Sequence, residues 1–231
     1  MDNAVALVQT YLRVNGFLTV TEYPVVEAVP SGGFQTATDL DVLAFRFGHS
    51  CTFTPEANRS PVDVPCPVET DPALDVRPGV TDMIIGEVKE GRALLNRAAT
   101  NPNVLAAAMT RFGCCEPAQA MDLAGRLVRD GHAKTHHGHR VRLIAFGSLS
   151  PDVPSRRFQV VLLGDIVAFL REHICRNWSR LQSSESKDPG LSFLMTLEKA
   201  QRGARRPSAH DAGRVPNRTI QATTGTSGKA L

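Results

Sequence analysis

The sequence predicts an α/β fold in which a mixed central sheet is flanked by helices. Three observations support this fold class. Residues 5–14 and 165–178 carry apolar side chains at helical spacing. Residues 39–47 are rich in β-forming side chains, and residues 82–89 contain an apolar run typical of a central strand. The predicted order is helix, three strands, helix, an additional helix, two strands and a helix.

The first predicted helix and strand lie at the start of the chain. The helix covers residues 5–14 and ends at Asn15, because asparagine and the glycine that follows it tolerate the left-handed conformation of a helix end. Residues 17–23 predict a strand that stops near Pro24, since proline has no N–H to give to a sheet. Residues 25–33 then predict a turn or an irregular continuation.

Two further strands enclose a long insertion. Residues 39–47 predict a strand that is partly buried on both faces, and residues 82–89 predict the central strand. Residues 48–80 contain six prolines and little periodicity, which predicts an inserted loop of the kind that is usually functional or mobile. Asp82, at the start of the third strand, is expected to cap a turn.

The second half of the chain adds helices and shorter strands. Asn101 can cap a helix over residues 102–112, and Pro102 suits its first turn. Residues 116–129 predict a further amphipathic helix. The remaining predicted elements are a hairpin over residues 132–142, strands over 141–146 and 158–163, a helix over 165–178 capped by Asp165, and a short helix over 191–200.

The domain organisation follows from these elements. One folded domain is predicted over residues 1–180, with an inserted loop at 48–80 and an inserted helix and hairpin at 114–140. A linker and short helix follow at 181–200, and residues 201–231 predict a disordered basic tail.

Positive charge is concentrated at the end of the chain. Residues 199–231 hold seven basic side chains against Asp211, a net charge of +6, so the rest of the chain carries −3 of the total +3. Such a tail either contacts the phosphates of a polyanion or only keeps the chain in solution.

The composition excludes several classes of protein. No uncharged apolar run of about 18 residues exists, so no transmembrane helix and no membrane partner are expected. The N-terminus lacks the basic flank and apolar core of a secretory signal, which makes a cytoplasmic location the default expectation. Five cysteines at irregular spacing do not indicate a disulfide framework.

Charged residues at the end of the central strand are the candidates for chemistry. Glu87 and Lys89 point to the same face, because side chains alternate along a strand. Charges on a buried strand cost several kcal/mol unless they are paired or bound to a metal. Asp41 lies on a strand expected to neighbour this one, since sequential strands are usually adjacent. Two carboxylates and an ammonium group predict a site for Mg²⁺ or Mn²⁺ that hydrolyses a phosphodiester.

Two segments carry a resemblance to a known family. Residues 38–45 (TDLDVLAF) and 85–91 (IGEVKEG) resemble strand motifs of the PD-(D/E)xK, or restriction-endonuclease-like, superfamily. The order of predicted elements over residues 5–147 is also similar to that family's αβββαβ core. The resemblance implies a nuclease-type activity that requires a divalent metal, on nucleic acid with DNA favoured.

The resemblance also implies roles for individual residues. Asp41, Glu87 and Lys89 match the catalytic positions, and Asp41, Glu87 and the backbone carbonyl of Val88 would bind the metal. Three features depart from the family pattern: no proline precedes Asp41, the spacing from Asp41 to Glu87 is long, and the first helix has no acid. Two alternatives stay open, a non-catalytic binding module on the same fold and an unrelated α/β interaction protein in which Glu87 and Lys89 merely pair.

Other candidate ligands have plainer interpretations beside the functional ones. Asp39, two residues before Asp41, is a possible accessory metal ligand or a solvated acid at the entrance of a strand. Two groups of histidines and cysteines are candidate zinc sites, and neither has the regular spacing of such a site. For the first group a polar hairpin tip is favoured. The first group is His132, His136, His137 and His139 with Cys114 and Cys115, and the second is His49 with Cys51 and Cys66.

Basic residues outside the site are candidates for phosphate contacts. The helices over residues 102–112 and 116–129, with the hairpin over 132–142, have the outline of a helix-turn-helix with a wing. Packing of an inserted helix against the core explains the same pattern and is favoured. The candidate contacts are Arg111, Arg126, Lys134, Arg140, Arg205 and Arg206, joined by Arg129 and Arg142 in the winged alternative.

Overall fold

The computed structural model describes residues 2–29, 32–48 and 70–204. Its helices are α1 (Asn3–Val14), α2 (Pro102–Arg111), α3 (Pro117–Asp130), α4 (Leu163–Arg176), α5 (Trp178–Leu181) and α6 (Pro189–Ala204), with a 3-10 helix at Pro72–Leu74. Its strands are β1 (Leu18–Ala28), β2 (Phe34–Arg46), β3 (Asp82–Arg92), β4 (His132–Lys134), β5 (Arg140–Leu149) and β6 (Gln159–Leu162).

The six described strands form one mixed sheet in the order β1-β2-β3-β5-β4, and β6 also pairs with β5. Strands β1, β2 and β3 are antiparallel neighbours, whereas β5 runs parallel to β3 and β6 runs parallel to β5. Strand β4 forms an antiparallel hairpin with the start of β5. The predicted class, an α/β fold with a mixed sheet flanked by helices, is confirmed.

Helices cover both faces of the sheet. Successive side chains of a strand point to opposite faces, so neighbouring residues of one strand pack against different helices. On one face Leu43 and Ile85 pack against α2 and α3. On the other face Val42 and Ile84 pack against α1 and α4. The centre of the sheet is therefore buried on both sides, which is why β3 reads as an apolar run.

The predicted end of the first strand was wrong. Strand β1 does not stop near Pro24 but continues to Ala28, and β2 begins at Phe34 rather than at Asp39. Pro24 is tolerated because β1 is the terminal strand of the described sheet, where an outward-facing N–H is not needed. A register shift between Val25 and Val26 accommodates the longer hairpin.

The predicted cap of the last core helix was also wrong. Helix α4 begins at Leu163, its N-cap is Leu162 without a side-chain hydrogen bond, and Asp165 lies inside the first turn. An acid in the first turn still stabilises a helix through the helix dipole. The helix ends at Arg176, and the short helix α5 follows it.

The end of the described chain is more helical than the sequence predicted. Helix α6 covers Pro189–Ala204 instead of 191–200, so the predicted tail does not begin at 201. Residues 205–231 lie outside the described residues. The described residues up to Met195 form one compact unit, and the described residues from Thr196 belong to another. No helix in the described part of the chain is long and apolar enough to cross a membrane.

The last part of the predicted 48–80 loop contacts the core. Asp71 accepts a hydrogen bond from the hydroxyl of Tyr11 at 2.7 Å, and its backbone N–H donates to Asn15 Oδ1 at 2.7 Å. Leu74, in the 3-10 helix that Asp71 caps, is fully buried. Residues 70–75 are therefore held by α1, while residues 49–69 of the loop lie outside the described residues.

Gly86 lies in the middle of β3, directly before Glu87, where no side chain fits. A Cβ added there would lie 2.5 Å from Val42 Cγ1 and 2.8 Å from Phe146 Cε2. Replacing Gly86 with alanine is expected to lower the free energy of unfolding by about 1–3 kcal/mol, because the methyl group overpacks the sheet face. Urea denaturation followed by circular dichroism measures the change.

Gly125 offers a matched control for that substitution. It lies in α3, and no atom of the described residues lies within 4 Å of a Cβ added there. Replacing Gly125 with alanine is expected to raise the free energy of unfolding by about 0.5–1 kcal/mol, because alanine is the better helix former. Wild-type stability in the Gly86 variant would contradict the tight packing at β3.

Candidate active site

Asp41 and Glu87 lie one position beyond the last residue pair of the β2–β3 ladder. The ladder runs from Arg46 opposite Asp82 to Val42 opposite Gly86. One residue further, the Asp41 Oδ2 atom accepts a hydrogen bond from the backbone N–H of Val88 at 2.8 Å. The carboxylate of β2 therefore lies directly against the end of β3 that carries Glu87.

The two oxygens of Glu87 have different surroundings. The side chain is 1% exposed, and its Oε1 atom accepts a hydrogen bond from Asn96 Nδ2 at 2.8 Å and contacts the Lys89 ammonium group. The Oε2 atom is buried and has no hydrogen-bond partner among the described residues. A buried acceptor without a partner costs about 1–3 kcal/mol, so this atom favours a cation or another donor.

The ionisation of Glu87 and of Lys89 depends on burial and on the neighbouring charges. Burial raises the pKa of Glu87 above its usual range, the Lys89 hydrogen bond opposes that rise, and the negative charge of Asp41 adds to it. Burial lowers the pKa of Lys89, but the hydrogen bond with Glu87 and the charges of Glu87 and Asp41 outweigh it, so the net pKa is raised. Lys89 is therefore a cation at neutral pH, beside two carboxylates.

The backbone of Val88 lies on the same side of β3 as Asp41. Its N–H is directed at Asp41, and in an extended strand the N–H and C=O of one residue point to the same side. The Val88 carbonyl, predicted from the resemblance to be a metal ligand, is thus oriented toward the β2 side. Its role as a ligand stays a prediction.

Asn96 is a site residue that the sequence analysis missed. After Lys89 the pairing of β3 with β5 shifts register, and the chain turns back before α2. Asn96 lies in this segment, and its Oδ1 atom accepts the backbone N–H of Ala99 at 2.6 Å while Nδ2 donates to Glu87. The signal in the sequence was weak, because an asparagine before a helix usually indicates only a turn.

The residues present fit a hydrated divalent cation. Among the described residues, no group of three or more His, Cys, Asp or Glu side chains is placed to hold a metal ion. Mg²⁺, however, is usually bound by one or two carboxylates and completes its coordination with water and substrate phosphate. Asp41, the buried Oε2 atom of Glu87 and the Val88 carbonyl would be the protein's ligands.

Asp39 does not join the site residues. It is exposed on β2 opposite Pro24. Within the described chain, no hydrogen bond or ion pair links its side chain to Asp41, Glu87 or Lys89. The solvated interpretation fits this position better than the accessory-ligand hypothesis.

The predicted phosphate contacts differ in their availability. Arg140 donates to the carboxylate of Asp75 at 2.6 Å, and Arg126 pairs with Asp122 at 3.1 Å, so both arginines already have acidic partners. Arg111 and Lys134 are exposed, and Arg205 and Arg206 lie outside the described residues.

The buried faces of α2 and α3 favour packing against the core over the helix-turn-helix alternative. Leu105 and Met109 of α2 and Leu123 and Leu127 of α3 are buried against the sheet. Arg142, a member of the winged alternative, is 2% exposed and bonds to Asp82, so it is not a surface contact. Asp82 was expected only to cap a turn, which was wrong because it is buried in this ion pair.

The zinc hypotheses gain no support from the described residues. Cys114 and Cys115 are buried in the core, and burial raises the pKa of the Cys114 thiol to about 11. His136 and His137 lie together at the hairpin turn, with ring centroids 3.6 Å apart. The second predicted group, with His49, Cys51 and Cys66, lies outside the described residues.

Comparisons of the chain with protein-family models, with curated proteins and with solved structures find no match. The arrangement of side chains is therefore the basis on which a function is assigned.

Proposed function

We propose that this chain is a divalent-metal-dependent nuclease of the PD-(D/E)xK type, with DNA as its favoured substrate. One observation carries the proposal: Asp41, Glu87 and Lys89 converge from two neighbouring strands, and the buried Oε2 atom of Glu87 lacks a partner among the described residues. A structural ion pair seldom leaves a buried carboxylate oxygen without a hydrogen bond, whereas a ligand site can leave such an oxygen for its ligand.

The order and direction of the elements support this assignment. Helix α1 is followed by the antiparallel strands β1, β2 and β3, then by α2 and by β5, which is parallel to β3. This order supports the proposed αβββαβ core, in which α3 and β4 would be an insertion between α2 and β5.

Each residue has a role that follows from its position. Asp41 and Glu87 supply oxygen ligands from two strands, and Asp41 is kept in place by the Val88 N–H. A bound Mg²⁺ would lower the pKa of a water molecule and neutralise charge on the phosphoryl group. Lys89 contacts Glu87 but is 44% exposed, so its ammonium group can orient the attacking water or stabilise charge on a phosphate.

The charge of the chain is consistent with a polyanionic substrate only if positive charge lies near the site or in the tail. The chain before residue 199 has a net charge of −3, and residues 199–231 carry +6. Long-range attraction of nucleic acid would therefore come from the end of the chain, and local contacts at the site from Lys89.

The test is a cleavage assay with the full-length chain. Single- and double-stranded DNA and RNA are incubated with Mg²⁺, Mn²⁺ or a chelator, and products are followed by electrophoresis. Cleavage that co-elutes with the protein, requires the metal and stops with the chelator is the expected result. Metal-independent cleavage would refute the proposal, and nucleic-acid binding without cleavage of any form would favour the non-catalytic binding module.

A further inference from the structure

We infer that Asn96 is a positioning residue that fixes the orientation of the Glu87 carboxylate toward the metal ion. The inference rests on the proposed function. Asn96 is outside the residues matched to the family motif, and its role is assigned by its contacts alone. It acts on the metal through Glu87 rather than by touching the metal itself.

The carboxylate of Glu87 needs such a constraint. The terminal torsion of a glutamate has a broad profile, so the plane of its carboxylate rotates at little cost unless hydrogen-bond donors hold it. Two donors meet the same atom: Asn96 Nδ2 lies 2.8 Å from Oε1, and the Lys89 ammonium group also contacts Oε1. Oε2 is left buried without a partner among the described residues, as the atom free to bind a cation.

The orientation of the Asn96 amide is set by the backbone. The N–H of Ala99 lies 2.6 Å from one end of the amide, and a backbone N–H can only donate. That end must therefore be the oxygen, which turns Nδ2 toward Glu87. The turn before α2 thereby holds the Asn96 Nδ2 donor against Glu87, although this turn is outside the two strands that carry Asp41, Glu87 and Lys89.

A purely structural role for Asn96 makes a different demand. Forming the turn requires only the Oδ1 acceptor for Ala99, and serine can supply a similar acceptor. Positioning Glu87 requires the Nδ2 donor, which serine lacks and which its shorter side chain cannot replace. Asn96→Ser therefore separates the two roles.

The experiment measures Mn²⁺ affinity by calorimetry and by electron paramagnetic resonance, together with the melting temperature, for full-length Asn96→Ser and Asn96→Ala. Loss of an outer-shell partner of a ligand typically lowers metal affinity about 10–100-fold. We expect that loss in both variants, with the melting temperature of Asn96→Ser close to wild type.

The matched control is Thr100→Ala. Thr100 Oγ1 donates to the backbone carbonyls of Arg97 at 3.0 Å and of Asn96 at 3.3 Å in the same turn, and no bond from it to Glu87 or to the Asn96 side chain is present in the described structure. The control should lose turn stability but keep wild-type Mn²⁺ affinity. Wild-type affinity in Asn96→Ser, or an equal loss in Thr100→Ala, overturns the positioning role. Absence of Mn²⁺ binding by the wild type overturns the proposed function and this inference together.

Discussion

Replacing Lys89 with alanine is expected to lower the rate of metal-dependent phosphodiester cleavage by about 10²–10³-fold, the usual loss when a preorganised donor to developing charge is removed. Lys89 is the cation of the site, and its pKa is raised by Glu87 and Asp41, so it stays charged at neutral pH. Lys89 is not a metal ligand in the proposal, and the loss of its contact with Glu87 is offset by the loss of its repulsion of the metal cation, so Mn²⁺ affinity should change only a few-fold. Single-turnover cleavage and calorimetry measure the two quantities separately.

Asp41→Asn is the informative companion to that variant. The amide oxygen of asparagine can still accept the Val88 N–H, so the local fold is retained while the charge is lost. This variant should lose both cleavage and Mn²⁺ affinity, in contrast to Lys89→Ala. Such a split between binding and rate distinguishes a ligand from a residue that acts on the substrate.

Lys187→Ala serves as the control for the loss of a lysine. Its side chain is 90% exposed and pairs only loosely with Glu185, at 3.5 Å. Cleavage by this variant should equal that of the wild type. Full cleavage by Lys89→Ala would contradict the proposed mechanism, because the ammonium group would then be only the partner of a buried glutamate.

The meeting of Asp41, Glu87 and Lys89 could be anticipated from local rules. Alternation along a strand puts Glu87 and Lys89 on one face, and sequential strands tend to be neighbours. The observed β2–β3 pairing brings Asp41 to the end of that ladder. Both rules act over short distances, so a single sequence is sufficient to apply them.

Contacts that depend on the path of the chain could not be anticipated. Asn96 reaches Glu87 only because β3 shifts register after Lys89 and the chain folds back. Pro24 suggested the end of a strand because proline has no N–H to give to a sheet. It is tolerated because β1 is the terminal strand of the described sheet, which the sequence does not reveal. In both cases the residue type indicated a turn or a stop, and tertiary position decided otherwise.

Arg142 shows the same limit for a buried charge. Its sequence neighbours suggested a phosphate-binding wing, yet its guanidinium group lies in the core. Nε and Nη2 donate to the two carboxylate oxygens of Asp82 at 3.1 and 2.6 Å, and Nη1 donates to the Leu74 carbonyl and to Gln159. One side chain thus connects β5 to β3, to the 3-10 helix and to β6.

Replacing Arg142 with methionine is expected to lower the free energy of unfolding by about 3–5 kcal/mol. The apolar part of the side chain is retained, but the Asp82 carboxylate, about 2% exposed, loses its two-bond partner inside the protein. The strand neighbour of Asp82, Arg46, is itself buried, with Nε and Nη1 unpartnered among the described residues, and its positive charge already acts on Asp82, so it offsets part of that loss. Urea denaturation measures the loss.

Two further variants decide whether the charge pair causes that loss. Arg156 is exposed and lines the same 230 Å³ cleft as Arg142, so Arg156→Met should stay within about 0.5 kcal/mol of wild type. The double variant Asp82→Leu/Arg142→Met should recover part of the stability, because removing both charges leaves no unpaired carboxylate in the core. If the double variant instead loses the sum of the losses measured for Arg142→Met and Asp82→Leu alone, the effect comes from packing around β5, because one ion pair cannot be broken twice.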